Sequence, residues 1–265
     1  MKIGAHCPIN KGFSKAIEHI LKAGGNTLQI FSGNPRSWYK KPLDPDEMEA
    51  FHEKRHSENI APLVIHANYL INLGTSDAIL WKKSVESLIQ EIERSDMLRA
   101  DYLVIHAGTN PDRDTGVKKH IEAIKRVSVV DRKVKLLVEN SAGQGNSLLF
   151  DLDILEELIR ESYPGDTGLC IDTAHAFQAG YTPESLIGKG LAEYVNVIHI
   201  NDSMTPMGSR VDRHQHIGRG KIGKSGFHKI LSNPAWKDLP FILETPWKGG
   251  MDKRNINLLK SLCVS

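Results

Sequence analysis

The sequence predicts an α/β fold, a (β/α)8 TIM barrel, on three observations. Eight short apolar runs rich in Val, Ile and Leu alternate with helical stretches along the whole chain, the pattern of a parallel sheet wrapped by helices. The 265 residues contain no Pro-, Gly- or Ser-rich linker, so a single domain over 1–265 is expected. Seven of the eight runs stop on, or beside, a residue able to bind a metal. In an alternating chain, strand ends of one polarity share one face, so a metal site at the C-terminal ends of the strands is expected. A doubly wound open sheet is the alternative that the alternation permits.

The first run, Ile3-Gly4-Ala5, ends at His6, and helical spacing follows in Ala16-Ile17 and Ile20-Leu21. The second, Thr27 to Phe31, lacks a terminal ligand; its loop, Ser32 to Pro42, interleaves Arg36, Lys40 and Lys41 with Trp38 and Tyr39. Asp44-Pro45-Asp46-Glu47 then marks a helix start, because carboxylates complement the N-terminal dipole. The third run, Leu63 to Ile65, meets His66 and a loop from Ala67 to Gly74. A helix follows from Trp81 to Leu98, with Val85, Leu88, Ile89 and Ile92 on its apolar face. Leu103 to Ile105 ends at His106 and Leu136 to Val138 at Glu139. Asp151-Leu152-Asp153 opens the helix carrying Ile154, Leu155, Leu158 and Ile159. Leu169 to Ile171 reaches Asp172, and Val195 to Ile198 reaches His199. A long stretch from Asn201 to Gly226 then carries Arg210, Arg213, Arg219, Lys221 and Lys224 among several glycines, and the eighth run, Phe241 to Leu243, ends at Glu244.

Net charge is only +2, so any nucleic-acid surface must be local. Cys7, Cys170 and Cys263 are odd in number and form no CxxC pair, which suits a reducing compartment. Met1-Lys2 passes straight into a strand, and no apolar run reaches membrane-spanning length. No signal peptide, no membrane association and a cytoplasmic location are therefore expected.

One histidine after an apolar run is usually satisfied by a carbonyl. His66, His106, Glu139, Asp172, His199 and Glu244 around one mouth are different, since without a cation they would suffer repulsion and desolvation together. Two motifs extend the set. Asp172-Thr173-Ala174-His175 puts an imidazole three residues past a strand-end carboxylate, and Asp212-Arg213-His214 spaces two donors so that both face one way. Nine nitrogen and oxygen donors are too many for one tetrahedral ion and enough for three. Zinc, manganese and magnesium are all chemically possible, and five histidines favour zinc. His6 reads as a residue that holds a ligand or a phosphate rather than coordinating. His19, His52, His56, His120 and His228 read as surface residues of helices, and His216 as a loop-structuring residue at least as readily as a ligand. Gly188-Lys189-Gly190 and Gly218-Arg219-Gly220 lack the strand–turn–helix setting of a nucleotide-binding fingerprint.

The chain resembles endonuclease IV, the zinc-dependent apurinic/apyrimidinic endonuclease family with a (β/α)8 fold, from Met1 to about Leu262. The strings that carry the resemblance are Ile3-Gly4-Ala5-His6, Tyr69 to Gly74, Glu139 to Gly145, Cys170 to Phe177, His199 to Asp202, Gly208 to His214 and Ile242 to Thr245. It implies three Zn2+ ions: one on His66, His106 and Glu139; one on Glu139, Asp172, His199 and Glu244; one on His175, Asp212 and His214. Glu139, as the bridge, and Glu244 would be the catalytic carboxylates. The implied reaction is hydrolysis of the phosphodiester 5′ to an abasic site in double-stranded DNA, leaving a 3′-hydroxyl and a 5′-deoxyribose phosphate, with 3′-end-cleaning phosphodiesterase activity besides. The family's DNA-contacting loops match the three long loops here, with Asn34, Arg36, Tyr69, Arg210 and Lys221 as expected contacts and Lys40, Lys41, Arg219 and Lys224 as further phosphate partners. A monomer is expected. Two departures, Ala67 after the third-strand histidine and a short segment after Glu244, touch no expected ligand. The rival reading is a metal-dependent sugar isomerase or epimerase on a similar barrel. Such an enzyme would need Glu139, Asp172, His199 and Glu244, without the full remainder of the set. A non-catalytic lesion binder would be expected to have lost a donor, and none is lost.

Overall fold

Eight parallel strands close on themselves: β1 (Lys2–His6), β2 (Thr27–Phe31), β3 (Leu63–His66), β4 (Tyr102–His106), β5 (Lys135–Glu139), β6 (Gly168–Asp172), β7 (Val195–His199) and β10 (Pro240–Leu243). The structure is a computed structural model and describes residues 1–188, 190–246 and 250–263. Lys189 of the discounted glycine turn, and 247–249 in the segment after Glu244, lie outside the described residues. Pairing of β1 with β10 through Ile3–Phe241 and Gly4–Ile242 leaves no edge, which rules out the open sheet. On its other side β1 approaches β2 so closely that a Cβ on Gly4 would fall 1.9 Å from the Thr27 carbonyl oxygen. Only glycine fits there.

The connecting helices are α1 (Phe13–Ala23), α2 (Pro45–Ser57), α3 (Ala78–Met97), α4 (Arg113–Val127), α5 (Leu152–Glu161), the short pair α6 (Thr173–Ala179) and α7 (Pro183–Ile187), α8 (Gly223–Leu231) and α9 (Met251–Cys263). Their starts follow the acidic signals. Asp44 accepts from the Asp46 and Glu47 amides at α2, and Asp151 from those of Asp153 and Ile154 at α5. α3 begins earlier than its apolar stripe, because Asp77 caps it through the amides of Ile79 and Leu80. No described helix is long and apolar enough to cross a membrane.

Strand alternation sorts side chains into two sets. Leu63, Ile65, Leu103, Ile105, Leu136 and Val138 face outward and join Ile17, Ile20, Leu88, Ile92 and Leu155 of the helices in one large core. Each such side chain, fully buried, contributes about 1.5–3 kcal/mol. Val64, Val104, Leu137, Cys170, Val197 and Ile242 form a separate apolar cluster inside the barrel. Two residues further along those six strands stand His66, His106, Glu139, Asp172, His199 and Glu244. The donor layer thus rests directly on an apolar plug.

Several features depart from the sequence reading. The Asn201–Gly226 stretch contains a small antiparallel ribbon, β8 (Asp202–Ser203) with β9 (His214–Gln215), in which Ser203 pairs with His214. His120 is fully buried, not a surface residue. It shares a helical face with Gly116, Ala123, Ile124 and Val127, its Nδ1–H donates to the Ala107 carbonyl, and burial pushes its pKa down to about 4. His56 is exposed as expected, whereas His19, His52 and His228 are half-buried.

Candidate metal centre

The strand ends bring the expected donors into three groups whose ligand atoms lie within 4.8 Å of one another: His66, His106 and Glu139; Glu139, Asp172, His199 and Glu244; and Asp172, His175 and His214. Glu139 presents a different oxygen to different partners. Its Oε1 lies 3.1 Å from His199 Nδ1 and its Oε2 3.4 Å from His66 Nε2 and 3.7 Å from His106 Nε2. Buried Oε2 has no hydrogen-bond partner among the described residues, a costly state for a carboxylate oxygen unless something positive meets it.

His175 reaches this mouth because Asp172 both ends β6 and caps α6, its Oδ1 accepting from the His175 amide at 2.8 Å. One helical turn then carries the imidazole back over the strand end. β9 brings in His214. Asp212 stands on the outer side, with its carboxylate 3.4 Å from the Nε2 atoms of both His175 and His214. Asp172 Oδ2 lies 3.6 Å from His214 Nε2, so both carboxylates border the third pair of imidazoles, Asp212 the nearer of the two.

Main-chain carbonyls set the tautomers of three imidazoles. His66 Nδ1 donates to Ala67 O at 2.7 Å, His175 Nδ1 to Asn140 O at 3.0 Å and His214 Nδ1 to Glu244 O at 3.2 Å. A carbonyl only accepts, so each Nε2 is left unprotonated to face the centre, as coordination through that nitrogen requires. The Nε2 atoms of His175 and His214 are then 3.3 Å apart. Two lone pairs at that distance repel unless a cation or a proton lies between them.

The electrostatics say the same. Burial alone would raise Glu139, but His199 and His106, with hydrogen bonds from His175 and His199, hold its carboxyl well below the usual range. Glu244 is lowered against burial mainly by His199, with His6 and His66 adding to it. Burial would lower His175, yet Asp172, Asp212 and Glu139 hold it well above the ordinary histidine value. His199 is likewise raised against burial, chiefly beside Cys170, Glu244 and Glu139. The pocket demands positive charge, which protons supply when no metal does.

A cleft of about 1030 Å3 opens beside the donors, lined by His6, Phe31, Tyr69, Met204, Asp212 and Pro246 among others. Tyr69 is 56 % exposed, and its ring meets Phe31 edge-on at 5.2 Å. Burial and the nearby Glu244 and Glu139 push its hydroxyl up to about 12, so it stays neutral. Its amide donates to Pro35 O at 3.0 Å, tying the loop after β3 to the one holding Asn34 and Arg36. Arg36 is exposed, and Asn34 accepts from its amide at 3.0 Å. Arg210 is exposed with its guanidinium 4.8 Å over the Phe150 ring, and Lys221 is exposed with its amide held by Ser203 O. Lys40 does not take the phosphate-facing position expected of it. Its side chain is buried in an ion pair with Glu91, so it anchors the loop and is not offered to phosphate. His6 joins none of the three groups and lies 3.5 Å from Glu244 Oε1. His216 is buried and accepts from Asn255 Nδ2, the loop-structuring role.

Sequence reasoning assigned no part to Gln29, Asn140, Asn201 or Asp202. Asn140 accepts from the Asp172 amide, and Asn201 donates to Asp172 Oδ2 while accepting from the Glu244 amide. Buried Asp202 gathers the amides of Gly218, Gly220 and Ile222 beneath the ribbon. Gln29 reaches the donors from β2, the strand without a ligand; its inward position in the two-residue alternation was the available signal.

Residues 17–262 match the family described as xylose isomerase-like TIM barrel. The chain is 40 % identical to a probable endonuclease 4 of Halothermothrix orenii, across 98 % of this chain and 99 % of that protein. The crystal structure of endonuclease IV from Thermus thermophilus superposes with a TM-score of 0.86 at 36 % identity, covering 99 % of this chain and 98 % of that one. D-psicose 3-epimerase from Clostridium cellulolyticum superposes with a TM-score of 0.72 at 16 % identity, over 99 % and 96 % of the two chains. That last likeness is one of fold.

Proposed function

Because this chain belongs to the endonuclease IV family, we propose that it is a DNA-repair endonuclease that hydrolyses the phosphodiester 5′ to abasic sites in duplex DNA. The observation that carries the reading is the donor set: eight residues in three ligand groups converge on one mouth, Asp212 stands 3.4 Å from two of them, and carbonyls fix three of the imidazole tautomers. An epimerase-type site would leave His66, His106, His175, Asp212 and His214 without a purpose.

The donors fit three zinc ions: His66, His106 and Glu139 for one; Glu139, Asp172, His199 and Glu244 for a second; His175, Asp212 and His214, with Asp172 alongside, for the third. Bound there, zinc supplies Lewis-acid polarisation of a phosphate and draws the pKa of water toward neutrality. Glu139 spaces two of the groups through its separate oxygens, and Glu244 closes the second beside His199. His175, Asp212 and His214 face the scissile phosphate. Arg36, Asn34, Arg210 and Lys221 hold flanking backbone, and Tyr69 keeps the abasic nucleotide out of the stack. Such a nucleotide has lost its base pair, so drawing it into the cleft costs less than flipping an intact one.

The products are a 3′-hydroxyl and a 5′-deoxyribose phosphate, with 3′-end cleaning at the same centre. A monomer working in the cytoplasm completes the reading; the free thiols of Cys7, Cys170 and Cys263 suit a reducing compartment. Incubation with a duplex carrying one abasic analogue, before and after chelation, tests the proposal. Cleavage 5′ to the lesion that is lost on chelation and restored by zinc is expected. Ketose epimerisation without DNA incision would overturn it.

A further inference from the structure

Among the described barrel strands, β2 alone has no metal-binding residue at or beside its end, yet it sends a fully buried side chain among the donors. The Gln29 carboxamide makes three contacts there. Its Oε1 lies 2.7 Å from His199 Nε2, one Nε2–H donates to Glu244 Oε1 at 2.5 Å, and the other faces His6 Nδ1 at 3.0 Å. The reverse orientation would set the amide oxygen against the Glu244 carboxylate, so the arrangement is the one that satisfies every partner.

His66, His175 and His214 take their tautomers from main-chain carbonyls and present Nε2. His199 is turned the other way. Its Nδ1 faces Glu139 Oε1 at 3.1 Å and Glu244 Oε2 at 3.3 Å, and its Nε2–H is accepted by a side chain. Resting on the three-zinc reading, we infer that Gln29 is a positioning residue for the second ion. It holds His199 as the Nε2–H tautomer with Nδ1 free to coordinate, and it holds Glu244 by the oxygen that does not face His199. One carboxamide thereby orients two of that ion's four donors and touches none belonging only to the other groups. Removing such an outer partner costs about 10–100-fold in metal affinity.

The experiment compares zinc-loaded wild type, Gln29→Leu and Gln29→Glu. Release of zinc to a coloured chelator is followed, together with proton and nitrogen spectra of labelled histidine. Wild type is expected to yield three equivalents. In Gln29→Leu one equivalent leaves about 10–100-fold faster while the others keep their rates. The His199 Nε2–H resonance, hydrogen-bonded and downfield in wild type, stays downfield in Gln29→Glu, which keeps an acceptor, and moves upfield in Gln29→Leu. Wild-type release for all three equivalents in Gln29→Leu, or equal acceleration of all three, overturns the inference alone. Should Gln29→Leu not fold, the absence of a downfield, hydrogen-bonded His199 Nε2–H resonance in zinc-loaded wild type overturns it. Wild type that takes up no zinc overturns the metal reading and this inference with it.

Discussion

The donor layer inside the barrel and the loops on its rim face the same cleft, yet they are held in different ways. Glu139, Asp172 and His199 are fully buried at strand ends, placed by a ladder of parallel pairs in which His106 opposes Glu139 and Asp172 opposes His199. Arg36, Tyr69 and Arg210 are exposed and placed by a few separate contacts: Asn34 to the Arg36 amide, Pro35 to the Tyr69 amide with Phe31 against its ring, and Gln178 to the Arg210 amide with Phe150 beneath its guanidinium. A ladder fixes position cooperatively, whereas a loop contact fixes it one bond at a time. The proposed function therefore places chemistry on the ladder-held part and substrate recognition on the loop-held part.

The largest effect expected of any change falls in the donor layer. Glu139→Ala removes the carboxylate that faces two groups, so cleavage of an abasic duplex should fall by about three powers of ten or more. Circular dichroism should show a folded barrel, because the apolar plug beneath is untouched. Near-normal cleavage by that folded variant would contradict the central place given to this layer.

Lys40 tests the boundary between the two regions. Its ion pair with Glu91 is nearly inaccessible, and Ser32 Oγ donates to the same carboxylate. Lys40→Met strands a buried charge and should cost about 3 kcal/mol of stability. The salt dependence of DNA binding should not change. A reduced salt slope with unchanged stability would return Lys40 to the set of phosphate contacts.

Protonation separates the layers by pH. The raised pKa values of His175 and His199 mean that the metal-free folded state holds those protons more tightly than the unfolded chain. That stabilisation is complete below the ordinary histidine value and is lost as pH rises through the raised values. The depressed Glu139 and Glu244 act oppositely: their contribution is present above the ordinary carboxylate range and lost in strong acid as pH falls through the depressed values. The melting temperature of the metal-free protein should therefore drop as pH rises above neutrality. Zinc-loaded protein should show no such drop, since ions stand where protons stood. Calorimetry of both forms across that range decides it.

The rim should give the smallest effects. Tyr69→Ala is expected to lower preference for abasic over intact duplex by about 1–2 kcal/mol, the scale of one aromatic–base contact, with no change in salt slope. Arg36→Ala should reduce the slope of log affinity against log salt by about one and weaken both duplexes. Unchanged discrimination in a folded, zinc-replete Tyr69→Ala would move lesion recognition away from this ring.

Much of the donor layer was legible beforehand, because period-two alternation and chain order are properties of the sequence. An apolar run ending in His66 or Glu139 has one inward face, and eight apolar runs in a βα repeat, seven of them ending at a possible donor, share one C-terminal mouth. The acidic helix starts were legible for a similar reason: Asp44 and Asp151 act on amides two and three residues away. The α3 start at Asp77, ahead of its apolar stripe, shows the limit of reading a boundary from periodicity.

What the sequence by itself determined is thus the set of facts that local geometry carries: strand ends, acidic helix starts, and the types of atom brought to the mouth. Only tertiary structure decided the rest. Lys40 and Lys41 are neighbours of one kind in sequence, and only the approach of Glu91 from α3 turns Lys40 inward. His120 became a core residue because α4 packs its face against the Ala107 carbonyl. Gln29, Asn140, Asn201 and Asp202 acquired roles through partners up to 215 residues distant in the chain, as in the bond from Gln29 to Glu244. A side chain's chemical type is written where it stands, but which lone pair or proton it offers depends on what the closed barrel sets against it.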